Sequence, residues 1–485
     1  MIIAANRPPV TYEWDADGVP VARRGAGGLV SALRGLLRDS DVTWVASATS
    51  EADRTLARAE PKGRVEAFGE GSARVRLLPH DPTAYTQFYE HVANSVLWFT
   101  QHQLWNLPYE PSFGQDFAGS WNNGYTVVND SFAAAVAEEI CSRPKQPAVI
   151  HDYHLYLAPR GVRERVPEAR LAQFVHTPWP PLEAFRVLPL AFARAALDGL
   201  LACDLVGFHT ARWRDNFADC CVELLGARRL GNDGVRYAHR ETRLTVRPIS
   251  VSPADLGAIA QSAAVAEEEQ AILDGRPEFL IVRVDRTDPS KNIVRGFAAL
   301  ELLLERHGEL HQRVELLALV DPSRQTIPAY DAYRTAIEQA AARVNGRFGT
   351  LSWTPARLEA EDNFPRSVAA YKQYDVLFVN PVFDGLNLVA KEGPLVNICN
   401  GVVVLSDNAG AHDELADLVL SVNPFDLSQQ ADALFEAITM PPNEKRSRAA
   451  DLRSLIAERP VEMWGDGLLD DLAEAVAPSG RTIHR

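Results

Sequence analysis

The chain has 485 residues, too many for one ordinary domain and enough for two or three. With 46% hydrophobic and 23% charged residues it has the make-up of a soluble globular protein. No apolar run approaches the ~20 residues needed to cross a bilayer. A formal charge of −15 excludes broad nucleic-acid binding, which needs basic surface, but not a phosphorylated substrate met by a few arginines inside a cleft.

Five cysteines without metal-ligand spacing predict a reduced, cytoplasmic protein with no metal site. Residues 1–7 enter a strand-like run at once, without the basic and long apolar regions of a signal peptide. Neither G-x-G-x-x-G nor G-x-x-x-x-G-K-[ST] occurs, so a dinucleotide dehydrogenase and a P-loop NTPase fit poorly.

After the first strand, Gly25-Ala26-Gly27-Gly28-Leu29 precedes a helix-like run at 30–37. Such glycines let backbone approach an anion, or make a plain flexible loop. Residues 43–46, 148–150, 171–175 and 205–208 read as short buried strands, with a helix over 131–141. His151-Asp152-Tyr153-His154 follows the second of these, where ligands of open α/β sheets bind. These side chains can hydrogen-bond a sugar. Two histidines flanking an aspartate also raise a metal, although adjacent positions of one turn rarely converge on one ion. His176 follows the next strand beside a wall of Pro178, Trp179 and Pro180, as either a satisfied polar residue or a catalyst. Cys220 and Cys221 read as core or surface thiols.

Pro248 and Pro253 break regularity, and an Ala/Glu-rich surface helix follows, so a boundary is predicted within 248–276. The expected domains are 1–247 and 248–459. A tail of about 460–485, with Trp464 and a helix over 466–476, is expected to return to the first domain. In the second half a strand at 279–282 leads to a helix whose apolar Ile293, Phe297, Leu300 and Leu304 recur at helical spacing. Residues 314–320, 376–379 and 402–405 are further strands. The alternation predicts an α/β fold of two Rossmann-like domains, each a doubly wound parallel sheet with helices on both faces.

Between the first strand and helix of the second half lie Arg286 and Lys291, with a turn signal at Asp288-Pro289 and a candidate N-cap at Ser290. Two cations there suit the charge that builds on a leaving diphosphate. Arg324 follows the 314–320 strand. With Arg7 and Tyr89 it could hold a phosphate monoester bidentately. Residues 384–392 run Asp-Gly-Leu-Asn-Leu-Val-Ala-Lys-Glu from a strand into a helix, whose first N–H groups lack intrahelical partners and bind anions. Asp384 can accept from sugar hydroxyls, and Glu392 from a ribose diol.

In sum of order and spacing these motifs resemble the trehalose-6-phosphate synthase family, retaining GT-B glycosyltransferases of family 20. The match runs from Asn6-Arg7 to residues 423–426. It takes in Ala26-Gly27-Gly28-Leu29, Asn94-Ser95-Val96-Leu97-Trp98, both His motifs, Asn345-Gly346-Arg347-Phe348-Gly349 and 384–392. The resemblance implies two domains facing a central cleft, with no cofactor and no metal. It implies that Arg7, Tyr89, Trp98 and Arg324 hold the glucose 6-phosphate acceptor. Gly28, Arg286, Lys291 and the amides of Asn387 and Leu388 would hold the donor diphosphate. Asp152, His176 and Asp384 would contact the transferred glucose and Glu392 the ribose, with Gly385 and Val389 in the same donor block. Arg286, Lys291, Asp152 and His176 form the implied catalytic group.

Family members often carry a second tryptophan where this chain has Ser47. That run, with His80-Asp81-Pro82 and Pro111-Ser112-Phe113-Gly114, looks like a branch holding pseudo-glycosyltransferases of the validoxylamine 7′-phosphate synthase type. Those couple cyclitols through nitrogen from a GDP-linked donor. Tyr89 and the intact 384–392 block look more like the true synthases. The branch implies a GDP donor, with guanine read by Asp362, Ser367 and Phe383. A carboxylate accepts from both N–H groups of guanine's Watson–Crick edge, and a ring can stack on it. The expected reaction is transfer of glucose from a nucleoside-diphosphate glucose, GDP-glucose favoured, to glucose 6-phosphate with retention and by front-face attack. The alternatives are a pseudo-glycosyltransferase accepting validamine 7-phosphate and a silent sugar-phosphate sensor. Nucleic acid and membrane are not expected partners, and a homo-oligomer is left open.

Overall fold

Strand β1 (Ile2–Ala4) is buried along its whole length and pairs in parallel on both sides, which is why it reads as an unbroken apolar run. The computed structural model describes residues 1–24, 42–66 and 74–476. Gly28 and the glycine-rich run around it, with the helix expected over 30–37, lie outside the described residues.

On one side of β1 come β4 (Thr43–Ser47), β6 (Arg74–Leu78) and the antiparallel edge β5 (Arg64–Glu66). On the other come β7 (Ala148–His151), β8 (Leu171–Phe174), β9 (Leu205–Phe208) and β12 (Arg240–Val246), then the antiparallel β11 (Gly234–Tyr237) and β10 (Arg228–Arg229). A separate hairpin joins β2 (Val10–Trp14) to β3 (Pro20–Arg24). Helix α1 (Thr126–Ser142) buries Val128, Phe132 and Val136. It is clamped at its end by Glu139, 1% exposed, which accepts from Arg64 and, at 3.0 Å, from Arg76.

The second sheet has the order β15 (Ala356–Glu359), β14 (Val314–Asp321), β13 (Phe279–Arg286), β16 (Val376–Val379), β17 (Val402–Ser406), β18 (Leu420–Val422), all parallel. Helix α2 (Ile293–Arg306) buries Ile293, Phe297, Leu300 and Leu304 against it, as its spacing predicts. The cap expected at Ser290 is supplied instead by Asp288, whose carboxylate accepts from the Ser290 amide and hydroxyl. α2 itself starts after Asn292, held at φ 58°.

The chain divides into two units, Ser250–Pro460 and the remainder: Met1–Ile249 with the segment from Val461. The helix Val461–Val476 is held to the first unit by Asp471, which accepts from Thr245 at 2.6 Å and from Arg247 at 2.8 Å. The Trp464 indole also donates to the Arg247 carbonyl. Among the described residues no helix is long and apolar enough to cross a membrane.

Among its parallel strands each sheet reverses its strand order, between β1 and β7 in the first and between β13 and β16 in the second. Connections leave in opposite directions at such a point and open a crevice at the carboxyl ends, where ligands of doubly wound sheets sit.

Candidate active site

At the first switch point β1 releases Asn6 and Arg7. Arg7 Nη2 donates to the Tyr89 hydroxyl at 3.1 Å, bringing together two residues 82 apart in sequence. Tyr89 rides on a π-helical segment, Gln87–Leu97, a form found mostly at functional sites. The rings of His80, Tyr85, Tyr89 and His154 stack in one column, with interplanar angles of 7°, 5° and 13° between neighbours. The column fixes where the Tyr89 phenol points. Trp98 stacks on His102 and packs against Tyr153, which touches His154 in turn. Ser47, at the end of β4, is 0% exposed, donates to Asn6 Oδ1 at 2.8 Å and lies 3.1 Å from His80 Nε2. It is a buried node behind the Arg7–Tyr89 pair. Arg324 belongs to the second unit, where its guanidinium donates to Asp288 at 3.2 Å and to the Tyr330 hydroxyl.

Asp152 follows β7 with φ 69° and ψ 176°, a region open essentially to glycine alone. Several contacts hold it there. Its amide donates to the Phe174 carbonyl at 2.8 Å, its carbonyl accepts from Gln173 at 3.0 Å, and Oδ1 accepts from the His176 amide at 3.2 Å. Backbone strain of about 1–3 kcal/mol at a switch point marks a side chain placed for use. Asp152→Gly should therefore keep or gain thermal stability, since glycine removes the strain, while turnover falls about 10- to 100-fold with the carboxylate gone. Parallel melting curves and initial rates check both halves.

His176 Nε2 lies 3.0 Å from His151 Nδ1, and its ring packs among Phe174, His209 and Trp464. Burial drives both imidazoles down, His151 to about 3 and His176 well below its ordinary value. Both are neutral near pH 7, so they can orient a hydroxyl but supply no positive charge. His209 and Trp464 were not legible as neighbours of this site; the signal was only a lone tryptophan in the tail and a histidine after a strand.

At the second switch point Arg286 ends β13, in register with Asp321 at the end of β14. Its side chain is 38% exposed and lies 3.9 Å from Asp288. Lys291 Nζ lies 2.5 Å from Asp384 Oδ2, which also accepts from Asn387 Nδ2 at 3.1 Å. The Asp384-Gly385 turn is rigid: the Asp384 amide donates to Asn408, its carbonyl accepts from Gly410, and a Cβ on Gly410 would sit 2.0 Å from the Gly385 carbonyl oxygen. Asn387 takes φ 79° to aim the chain into α4, a helix described in full as Val389–Val396, with half-buried Leu388 and Val389 at its start. Glu392 accepts from the Tyr371 hydroxyl at 3.2 Å. Lys391, 2% exposed, pairs instead with Glu414.

Asp362 is exposed and Phe383 half-buried. Ser367 is 4% exposed and its hydroxyl donates back to the Asn363 carbonyl at 3.3 Å. The Asp321 carboxyl is pushed up to about 7 by burial and the charge of Asp362, against the pull of Arg286. Among the described residues no three His, Cys, Asp or Glu are grouped to hold a metal. One unit thus gathers Arg7, Tyr89, Trp98, Asp152 and His176, and the other gathers Arg286, Lys291, Arg324 and the 384–392 block.

Comparison with known proteins bears on both units. The profile of glycosyltransferase family 20 matches residues 1–474. Validamine 7-phosphate valienyltransferase of Streptomyces hygroscopicus is 32% identical over 100% of this chain and 96% of its own length. The trehalose-6-phosphate synthase of Mycolicibacterium vanbaalenii is 33% identical over 97% of this chain and 95% of its own. The solved UDP-forming α,α-trehalose-phosphate synthase of Burkholderia xenovorans, in complex with glucose-6-phosphate, superposes with a TM-score of 0.83 at 28% identity, covering 97% of this chain and 99% of that one. The two parallel sheets and these neighbours make the fold GT-B.

Proposed function

We propose a reaction from the premise that the chain belongs to glycosyltransferase family 20 and is a glycosyltransferase: it moves glucose from a nucleoside-diphosphate glucose to glucose 6-phosphate with retention, forming α,α-trehalose 6-phosphate. The observation that carries this reading is what stands at the two switch points. Arg7 and the Tyr89 phenol, 3.1 Å apart, suit a phosphate monoester. Arg286 and Lys291, beside the start of α4, suit a diphosphate. The Mycolicibacterium and Burkholderia relatives support glucose 6-phosphate as acceptor.

Within this reading Trp98 walls the acceptor and Arg324 adds a guanidinium to its phosphate. Asp152, His176 and Asp384 hold hydroxyls of the transferred glucose. Gly28 and the amides of Asn387 and Leu388 meet the diphosphate, with Gly385 and Val389 in the same donor block, and Glu392 takes the ribose. GDP is the favoured leaving group. The exposed Asp362 carboxylate can accept from both N–H groups of guanine, and Phe383 can stack on it. The Ser367 hydroxyl donates to the Asn363 carbonyl and keeps its acceptor lone pairs for a guanine N–H.

A retaining hydrolase would need a nucleophilic carboxylate. Asp152 is engaged with the His176 amide and Asp384 with Lys291, so both serve as ligands. The bond from the anomeric carbon to the leaving phosphate breaks as the acceptor hydroxyl attacks the same face. The phosphate oxygen takes the acceptor's proton, and Arg286 and Lys291 stabilise the charge that remains.

Asp321 gives this reading a pH signature. Its carboxyl, pushed up to about 7, is neutral below that pH and charged above it. A neutral Asp321 leaves the Arg286 charge undiminished for the diphosphate. The donor KM should therefore fall several-fold from roughly pH 8 to pH 6, and Asp321→Asn should flatten the profile.

The deciding measurement is nucleotide release from GDP-, ADP- and UDP-glucose, with and without glucose 6-phosphate, and analysis of the sugar product. Acceptor-dependent release, fastest with GDP-glucose, is expected. A UDP-glucose preference would discard the guanine contacts and keep the enzyme. The 32% identity to the valienyltransferase over the whole chain favours one second reading, cyclitol coupling to validamine 7-phosphate. No release from any nucleotide glucose, with release from a GDP-linked cyclitol that depends on validamine 7-phosphate, would establish it.

A further inference from the structure

We propose that Tyr371 is a positioning residue for the donor ribose: its phenol holds the Glu392 carboxylate in the orientation that receives the ribose diol. This rests on the reading of Glu392 as the ribose contact.

Helix α3 (Phe364–Gln373) carries Tyr371 near its end, and the residue is 1% exposed. A phenylalanine would fill that space equally well. A hydroxyl taken out of water must find a partner or cost stability. The partner here is Glu392 Oε2, at 3.2 Å. The phenol stays protonated because burial and the charges of Glu392, Asp321 and Asp285 all oppose its ionisation, so it donates and the carboxylate accepts.

The frame around the pair is closed a second time. Asn397, which ends α4, donates through Nδ2 to the Tyr371 carbonyl at 3.1 Å and to the Tyr374 carbonyl at 2.9 Å. α3 and α4 are thereby tied a second time, at the carboxyl end of α4 beyond the Tyr371–Glu392 contact. The carboxylate direction is then set by the helix pair rather than by the free rotation of a glutamate side chain. A carboxylate offers about four acceptor sites, and the phenol takes one of them. Orientation fixed in advance lowers the ordering cost that binding would otherwise meet.

The test is steady-state nucleotide release by the full-length enzyme with GDP-glucose and its 2′-deoxy and 3′-deoxy analogues, or the uridine set if that base is preferred. Tyr371→Phe should raise the KM of the ribose donor about tenfold, leave kcat within about twofold and raise the KM of each deoxy donor by less, so that ribose discrimination shrinks. A packing role would shift all three donors together. Glu392→Asp, which draws the carboxylate off the phenol by one methylene, should mimic it and serves if the Phe variant folds poorly. Glu392→Ala should abolish discrimination. If Glu392→Ala abolishes discrimination while Tyr371→Phe and Glu392→Asp retain it in full, the positioning role is wrong and the ribose contact stands. If no variant alters discrimination, both fall.

Discussion

Arg286→Ala should lose about 10²–10³ in kcat, the scale of removing one preorganised charge-stabilising donor, while its melting temperature stays near that of the parent. The separation follows from where the side chain sits. It is 38% exposed at the end of β13, and its 3.9 Å neighbour Asp288 is also paired with Arg324 at 3.2 Å. Removing Arg286 therefore strands no buried charge. Lys291→Ala is a less clean experiment, because Asp384, 9% exposed, would lose a cation 2.5 Å away and stability would fall with rate. Arg286→Lys should recover only part of the loss, since an ammonium is a point charge and cannot present two parallel N–H groups to a diphosphate. Nucleotide-release kinetics and melting curves on the three variants suffice. Near-full turnover by Arg286→Ala would remove the leaving-group role from this residue and with it the central step of the proposed reaction.

The parallel strands were legible because burial on both faces leaves unbroken apolar runs, and the polar clusters directly after them fell at the carboxyl ends where crevices open. Residues 279–282 were legible as the start of a strand, the apolar stretch ahead of the charged Arg283. In the fold β13 runs on to Arg286, since Arg283 finds Asp285 two residues on, on the same face. The glycine-like backbone of Asp152 carries no local signal: contacts from Phe174, Gln173 and His176 impose it. The local bond of Ser367 was also unread, although a serine inside a helix commonly turns its hydroxyl to the carbonyl one turn back. The Tyr371–Glu392 bond was unread because its partners lie 21 residues apart, and the local hairpin of β2 and β3 and the π-helical carrier of Tyr89 were unread as well.

Asp285→Ala should be among the most destabilising single changes in the second unit. Arg283 is 0% exposed, and its Nε and Nη2 donate to Asp285 Oδ2 at 2.9 and 2.8 Å. Space for the guanidinium exists only because residue 296 is glycine: a Cβ there would lie 1.9 Å from Nη1. Without Asp285 a desolvated cation has no counter-ion and cannot swing out, which costs about 3–5 kcal/mol. For a unit of this size that is a melting shift of about 10 °C. The same guanidinium donates to the Lys291 carbonyl at 3.0 Å, so the buried pair also braces the turn that presents Lys291. Folding and function can be parted by replacing both partners, Arg283→Met with Asp285→Leu. Apolar side chains of similar size avoid the stranded charge and should restore much of the stability. They cannot hold the Lys291 carbonyl, so turnover should remain depressed. A double variant that regains both stability and full rate would show that the Lys291 turn holds its place without Arg283, and an Asp285→Ala protein that melts like the parent would show that the pair is not desolvated at all.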